Sequence, residues 1–459
     1  MKTQYINSIL AAVPDYKVFL TIDELLESSK MLAAKFPDVV TILPLGTSRD
    51  GDLIEVIKIG NGANNALIFA MPHPNEPIGS MMLEYLSSRL AEDSKLRDAF
   101  DYTWYLIKSV DPDGTRLNEG WFKGPFTITN YGRNFFRPPS HLQVEWTFPI
   151  EYKSLKFLDP LPETQALMFL IEEIKPEFIY SLHNAGFGGA YFYISEDALD
   201  LRNPFFDLVD NQGLNLHLGE PEVPWVEKYA DAIFQTPSIT QAYDFMEAQG
   251  VDPSKVITGG TSSWDYAKQF CDPFSLLCEL PYFYNETIHD TSDSDQIRRD
   301  VILSGVSKIR NQFQTIIDIF TVIEEELTST SPYRDAISSL ISMVPQNLTA
   351  TENWAKSDPN TESVATKAEK FDNLFVRRFY YVLLNLGMTI RMIEHQISMT
   401  GPTQSLSSAL DRAIAAFEEV ASELEEELKY SVIPIQKLVR VQLGSALLSA
   451  AYAAERKKD

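Results

Sequence analysis

Short apolar runs rich in β-branched and aromatic residues alternate with helix-patterned stretches through the first 290 residues, and then stop. The runs NALIFAM (65–71), TWYLIKSV (103–110), FIYSLHN (178–184), AYFYIS (190–195) and SLLCELPYF (275–283) are separated by stretches such as PIGSMMLEYLSSRL (77–90) and PETQALMFLIEEI (162–174). Such alternation predicts an α/β fold, a sheet with helices on both faces. Beyond it, residues 295–327, 371–398 and 406–430 carry apolar residues at helical spacing with almost no strand signal. Two domains are therefore expected, an α/β domain over 1–290 and an all-α region over 291–459 that serves as a bundle, a cap or an oligomerisation element. The polar stretch QNLTATENWAKSDPNTESVA (346–365) reads as a long loop within the helical part.

A chain of 459 residues with 44% hydrophobic content can bury cores of that size without disulfide staples. Its two cysteines, Cys271 and Cys278, lie in an apolar stretch and read as buried free thiols in a reducing cytoplasm. The N-terminal residues make no convincing secretion signal, because Pro14 and Asp15 interrupt a short apolar stretch. No window approaches a membrane span. A formal charge of −25 argues against nucleic acid or an anionic membrane as partner, since both would be repelled at long range.

The segment FAMPHPNEPIG (69–79) places His73 and Glu76 in a loop after one apolar run and before a helix that Pro77 can begin. Ligands of open α/β sheets collect at the carboxyl ends of strands. His-x-x-Glu alone is equally a tight turn with solvated side chains. A third candidate, His183, ends the run FIYSLH before a glycine-rich loop, and two histidines with one carboxylate make a shell that leaves a position for water. The other histidines, His141, His217, His289 and His395, lack such a setting and read as ordinary surface or core residues. Glu279 interrupts the apolar run SLLCELPYF, where a lone carboxylate is costly unless paired or close to a metal; an edge strand with Glu279 in water is the alternative.

Taken together, these residues resemble the zinc metallocarboxypeptidases related to carboxypeptidases A and B. The similarity runs in order through LGTSRDGDLIEVIKIG (45–60), HPNEPIG (73–79), DPDGTR (111–116), NYGRNFFRP (130–138), PETQAL (162–167), SLHNAGFGG (181–189), GGTSSWDYA (259–267) and LLCELP (276–281), and covers about residues 20–290. It implies a mixed-sheet α/β/α domain and one Zn²⁺ ion held by His73, Glu76 and His183. Glu279 would be the general base and later the acid. DPDGTR matches the family's Asn-Pro-Asp-Gly block, and Arg116 is similar to the arginine that stabilises the oxyanion. Arg133, with Asn134 beside it, resembles the arginine that grips a terminal carboxylate. Ser262 and Ser263 fall where the family reads the substrate's side chain.

Three positions depart from the pattern. Gly132 replaces an asparagine that helps hold the carboxylate, and Asn130 replaces the aspartate that orients a zinc-bound histidine. Lys255 stands where digestive members place a tyrosine that closes over the substrate. Either Tyr243 or Tyr266 does that work, or the lysine meets an acidic substrate, or it is a solvated loop residue. The expected activity is hydrolysis of a C-terminal amide in a small peptide or peptide-like intermediate. Deacylation of an acylated amino acid or γ-glutamyl conjugate on the same fold is the alternative. A third reading is a non-catalytic binding protein working through its helical half, which could also build a homo-oligomer.

Overall fold

The computed structural model describes residues 3–219, 223 and 225–456. Nine strands form one sheet, in the order Val40–Thr47, Leu53–Ile59, Tyr102–Ile107, Asn64–Ala70, Phe178–Leu182, Phe274–Glu279, Tyr191–Ile194, Ile233–Gln235, Lys228–Ala230. The sheet is mixed. Asn64–Ala70 pairs in parallel with both of its neighbours, and Phe274–Glu279 is parallel to Phe178–Leu182 but antiparallel to Tyr191–Ile194. All five residues of Phe178–Leu182 are buried, as are the last five of Asn64–Ala70. That is why these central strands read as unbroken apolar runs and not as alternating ones: both faces are covered.

On one face lie helices Pro162–Ile174 and Ser263–Ala267, over a compact core that includes Leu67, Phe69, Leu167, Ile171 and Ile179. On the other face lies helix Ile78–Glu92, and beside it helix Ile435–Arg456, whose apolar residues pack on Phe178–Leu182 and Phe274–Glu279. The C-terminal helix thus completes the α/β/α sandwich. It binds the two parts of the chain by hydrogen bonds as well, for Tyr102 Oη donates to the Ala450 carbonyl at 3.2 Å. A single hydrophobic cluster runs from Ile68 and Tyr180 into Ile316, Leu424 and Val439, so the sheet and the helical region share one core.

The helical region contains long helices Arg298–Ile323, Pro332–Ser357 and Gln404–Leu428, and a continuous helical run from Lys367 to Thr400 with two π-helical segments, Asp372–Val376 and Phe379–Leu383. The expected loop over 346–365 is corrected. Helix Pro332–Ser357 continues through most of it, because Val344, Leu348 and Ala355 lie on one buried stripe while the polar residues between them face outward. Among the described residues no helix is long and apolar enough to cross a membrane.

Candidate active site

Parallel register brings the histidines together. Ala70 stands opposite Leu182, so the chain leaves the sheet at neighbouring points, with His183 one residue beyond one strand and His73 three beyond the other. On the far side, Leu276 stands opposite Tyr180, and continuing that pairing puts Glu279 beside His183. The turn after Asn64–Ala70 is tight: buried Met71 takes φ +56°, a left-handed conformation uncommon for a residue with a side chain. Asn184 accepts from the Ile78 N–H at 3.1 Å and so caps the helix that follows, fixing the loop between.

The ligand-type atoms converge. His73 Nδ1 lies 3.1 Å from Glu76 Oε1, His183 Nδ1 lies 3.1 Å from Glu76 Oε2, and the two Nδ1 atoms are 3.1 Å apart. Donors bound at 2.0–2.1 Å around a tetrahedral ion would stand about 3.3 Å from one another. All three residues are buried. Arg137 Nη2 donates to His73 Nδ1 at 2.7 Å and Nη1 to Glu76 Oε1 at 3.2 Å. A guanidinium has no acceptor, so His73 Nδ1 offers a lone pair here and its ring proton sits on Nε2, which is buried with no partner among the described residues. This is the tautomer a cation at the centre of the cluster requires. The residues present therefore fit a divalent metal.

Burial, with the Arg137 charge beside it, lowers the pKa of His73 from 6.5 to about 3. Burial acts against the charged form of His183 too, but the carboxylates of Glu76, Glu279 and Glu145 outweigh it and raise that pKa to about 9. Burial opposes the Glu76 carboxylate, yet the two imidazoles hold its pKa well below the usual range. Glu279 Oε1 stands 3.9 Å from His183 Nδ1, and its side chain is 11% exposed. From behind, buried Gln442 of the C-terminal helix donates to the His183 carbonyl at 2.8 Å.

His73, Glu76 and Glu279 open onto a cavity of about 480 Å³. Its opposite wall comes from the helical region, with Met343, Tyr380, Leu384 and Met388 among the lining residues. Tyr380 ties the two walls together, since its hydroxyl accepts from the Phe187 N–H and donates to the Phe187 carbonyl, both at 2.8 Å.

Several residues expected at the site stand elsewhere. Arg116 ends the short helix Pro112–Arg116 and pairs outward with Asp52 at 2.6 Å and Asp23 at 2.8 Å; it does not line the cavity. Arg133 pairs with Glu394 of the helical region and is also absent from the cavity wall. Asn134 bonds back to Asn130 at 3.0 Å. Ser262 caps helix Ser263–Ala267, and Ser263 bonds Glu145. The side chain of Lys255 lies outside the described residues. Tyr243 bonds Ser154 and Tyr266 bonds Glu172, so neither takes the place of the missing tyrosine on the cavity wall. Arg137, four residues after Arg133 in NYGRNFFRP, also lines the cavity and is not singled out by the sequence, and His217, which reads from sequence as an ordinary surface or core residue, lines it too and accepts from the Gly189 N–H at 3.3 Å.

A model of the zinc carboxypeptidase family matches residues 25–289. Among solved structures, the chain is similar to carboxypeptidase A from Helicoverpa armigera, at 16% identity over 62% of this chain and 72% of that one, with a TM-score of 0.40. Bovine thrombin-activatable fibrinolysis inhibitor, in complex with tick carboxypeptidase inhibitor, matches at 16% identity over 57% and 87% with a TM-score of 0.37. A metallo-carboxypeptidase from Burkholderia cenocepacia matches at 16% over 57% and 60% with a TM-score of 0.34. With its family match spanning more than half of its length, the chain belongs to the zinc carboxypeptidase family.

Proposed function

We propose that the protein is a zinc-dependent hydrolase that cleaves the C-terminal amide of a small peptide or peptide-like compound. The observation that carries this reading is the convergence of His73, Glu76 and His183, with ligand-type atoms 3.1 Å from one another, beside the cavity that His73, Glu76 and Glu279 line. A zinc ion held by these three side chains would acidify a bound water and polarise the scissile carbonyl. Glu279 would take a proton from the attacking water and hand it to the departing amine as the C–N bond breaks. Arg137, not Arg116, supplies the fixed positive charge on which negative charge at the carbonyl oxygen would lean.

The roof of helices favours a small substrate. A cavity of about 480 Å³ closed by Tyr380, Leu384 and Met388 suits a compound of a few residues, and a folded protein's tail would have to pass that wall. A second reading, deacylation of an acylated amino acid or γ-glutamyl conjugate, is favoured by one feature: Arg133, the expected grip for a terminal carboxylate, is already paired with Glu394. The free thiols Cys271 and Cys278 suit a reducing compartment such as the cytoplasm.

Zinc analysis of the purified protein, joined to a screen of a peptide and acyl-amino-acid library with mass detection, tests both readings. One zinc per chain and a Glu279→Gln variant that keeps its zinc but loses turnover by about 10²-fold or more are expected. Bound zinc with unchanged turnover in that variant would remove Glu279 from the mechanism.

A further inference from the structure

We infer that Glu145 is a positioning residue for the metal, acting through Ser181 on the ring of His183, and that it takes over the carboxylate support missing behind His73. The inference rests on the zinc-hydrolase reading above. Glu145 sits in the turn Val144–Trp146, far from the strand ends in sequence, and its carboxylate is buried. Ser181 Oγ donates to Glu145 Oε2 at 2.9 Å and lies 2.9 Å from His183 Nε2. The other carboxylate oxygen accepts from the Ser263 N–H at 3.2 Å and from the Ser263 hydroxyl at 3.1 Å.

The direction of this chain follows from donor counting. A serine hydroxyl has one proton, and an ionised carboxylate only accepts. With the Ser181 proton committed to Glu145, the serine oxygen accepts from His183 Nε2–H. In the neutral ring that binds a metal, the remaining proton is then held at Nε2 and the Nδ1 lone pair faces Glu76 and His73. A ligating histidine is ordinarily oriented this way by a carboxylate or carbonyl behind its other nitrogen.

Among the described residues, no such partner stands behind His73. Its Nε2 is buried without a hydrogen bond, and Asn130, standing where the resemblance calls for an aspartate, spends its amide on the Pro125 carbonyl at 2.9 Å. Of the two imidazoles, only His183 is backed by a carboxylate, and it reaches that carboxylate through one hydroxyl. The strand position explains the hydroxyl: residues two apart on Phe178–Leu182 and its extension point to one face, so Ser181 and His183 lie side by side.

Chelator competition for zinc and the visible spectrum of the cobalt-substituted protein test this with Ser181→Ala, Glu145→Gln and Ser181→Thr. Ser181→Ala and Glu145→Gln are expected to weaken metal binding about 10- to 100-fold and to shift the cobalt bands. Ser181→Thr keeps the hydroxyl and is expected to hold both near the unaltered values. Should Glu145→Gln fail to fold, Ser181→Ala against Ser181→Thr decides alone. Affinity within twofold of the unaltered protein in Ser181→Ala, or a loss that Ser181→Thr does not recover, overturns the relay while leaving the hydrolase reading intact. An unaltered protein that takes up no zinc overturns the hydrolase reading itself, and the relay with it.

Discussion

His73 Nδ1 and His183 Nδ1 stand 3.1 Å apart across the one buried carboxylate of Glu76. Two ring nitrogens at that separation repel unless a proton or a cation lies between them; the proton that His183, with its pKa raised to about 9, keeps in the cluster does this at neutral pH, and a divalent ion binding there would displace it. Zinc at a hundredfold excess over its Kd should add about 2.7 kcal/mol to the stability of the folded protein. Thermal unfolding with zinc, and again after chelation, reads the difference as a rise in Tm. The rise should vanish in Glu76→Ala, and an equal rise in that variant would place the ion elsewhere.

The three arginines of the segment 116–137 separate by what they touch. Arg137 contacts His73 and Glu76, Arg116 is held by Asp52 and Asp23, and Arg133 by Glu394. Arg137→Ala should lower kcat about 10²- to 10³-fold, the usual cost of losing a group that faces a developing oxyanion. Arg116→Ala should change kcat by less than about threefold, because its partners are surface carboxylates. Steady-state kinetics of the two variants, side by side, makes the comparison, and the reverse ranking would return the oxyanion role to Arg116.

How much of this could be read from sequence depends on what kind of order fixed each residue. His73 and His183 were legible because each comes at or just after the end of an apolar run, and Glu279 because it interrupts one; parallel pairing needs only register to bring such positions together. Arg137 was not, since it follows helix Ile128–Asn134 in irregular chain, and only the backbone path of FFRPP turns it toward the cluster. Helix Pro332–Ser357 was read in part as a loop because its buried stripe is thin and its composition polar. Helix Ile435–Arg456 escaped for a different reason: AYAAER-like small residues give a weak stripe, and its place against the central strands is a tertiary fact.

Asp111 gives the fold a pH dependence. Its carboxyl is buried, Oδ2 has no partner among the described residues, Oδ1 accepts from the Gly114 N–H at 3.0 Å, and Arg49 stands 3.6 Å away. Burial outweighs the Arg49 charge and raises its pKa from 3.8 to about 7. An acid whose folded pKa lies above its unfolded one holds its proton longer in the folded state. Its contribution is full below pH about 4 and is lost as the pH rises through about 7. Asp111→Asn supplies the neutral residue that the resemblance places here, and removes that loss. Relative to the unaltered protein, the variant should gain Tm at pH 8 over pH 5; parallel Tm curves would show that Asp111 does not titrate in this window.

Gly132 and Gly387 meet where the helical region docks on the α/β part. A Cβ on Gly387 would lie 1.9 Å from the Gly132 carbonyl oxygen, and one on Gly132 would lie 3.2 Å from Leu383 Cγ and 3.4 Å from a Phe417 ring carbon. Helix Leu384–Thr400 thus touches helix Ile128–Asn134 backbone to backbone, and Arg391 fastens the contact by donating to the Asn134 carbonyl at 2.8 Å. The glycine at 132, which reads from sequence as a lost substrate contact, also lies in this contact, where a Cβ would need Leu383 and Phe417 to give by a few tenths of an ångström. Gly387→Ala must push the two helices apart, at a cost of about 1–3 kcal/mol or more. Gly132→Asn, although it restores the family's residue, would set a polar amide against Leu383 and Phe417 and should destabilise as well. Because Asn385 and Met388 on the displaced helix line the cavity, Gly387→Ala should also lower turnover. Tm and kcat/KM measured on both variants check this, and a Gly387→Ala protein with unchanged Tm would mean that the helices do not meet at this point.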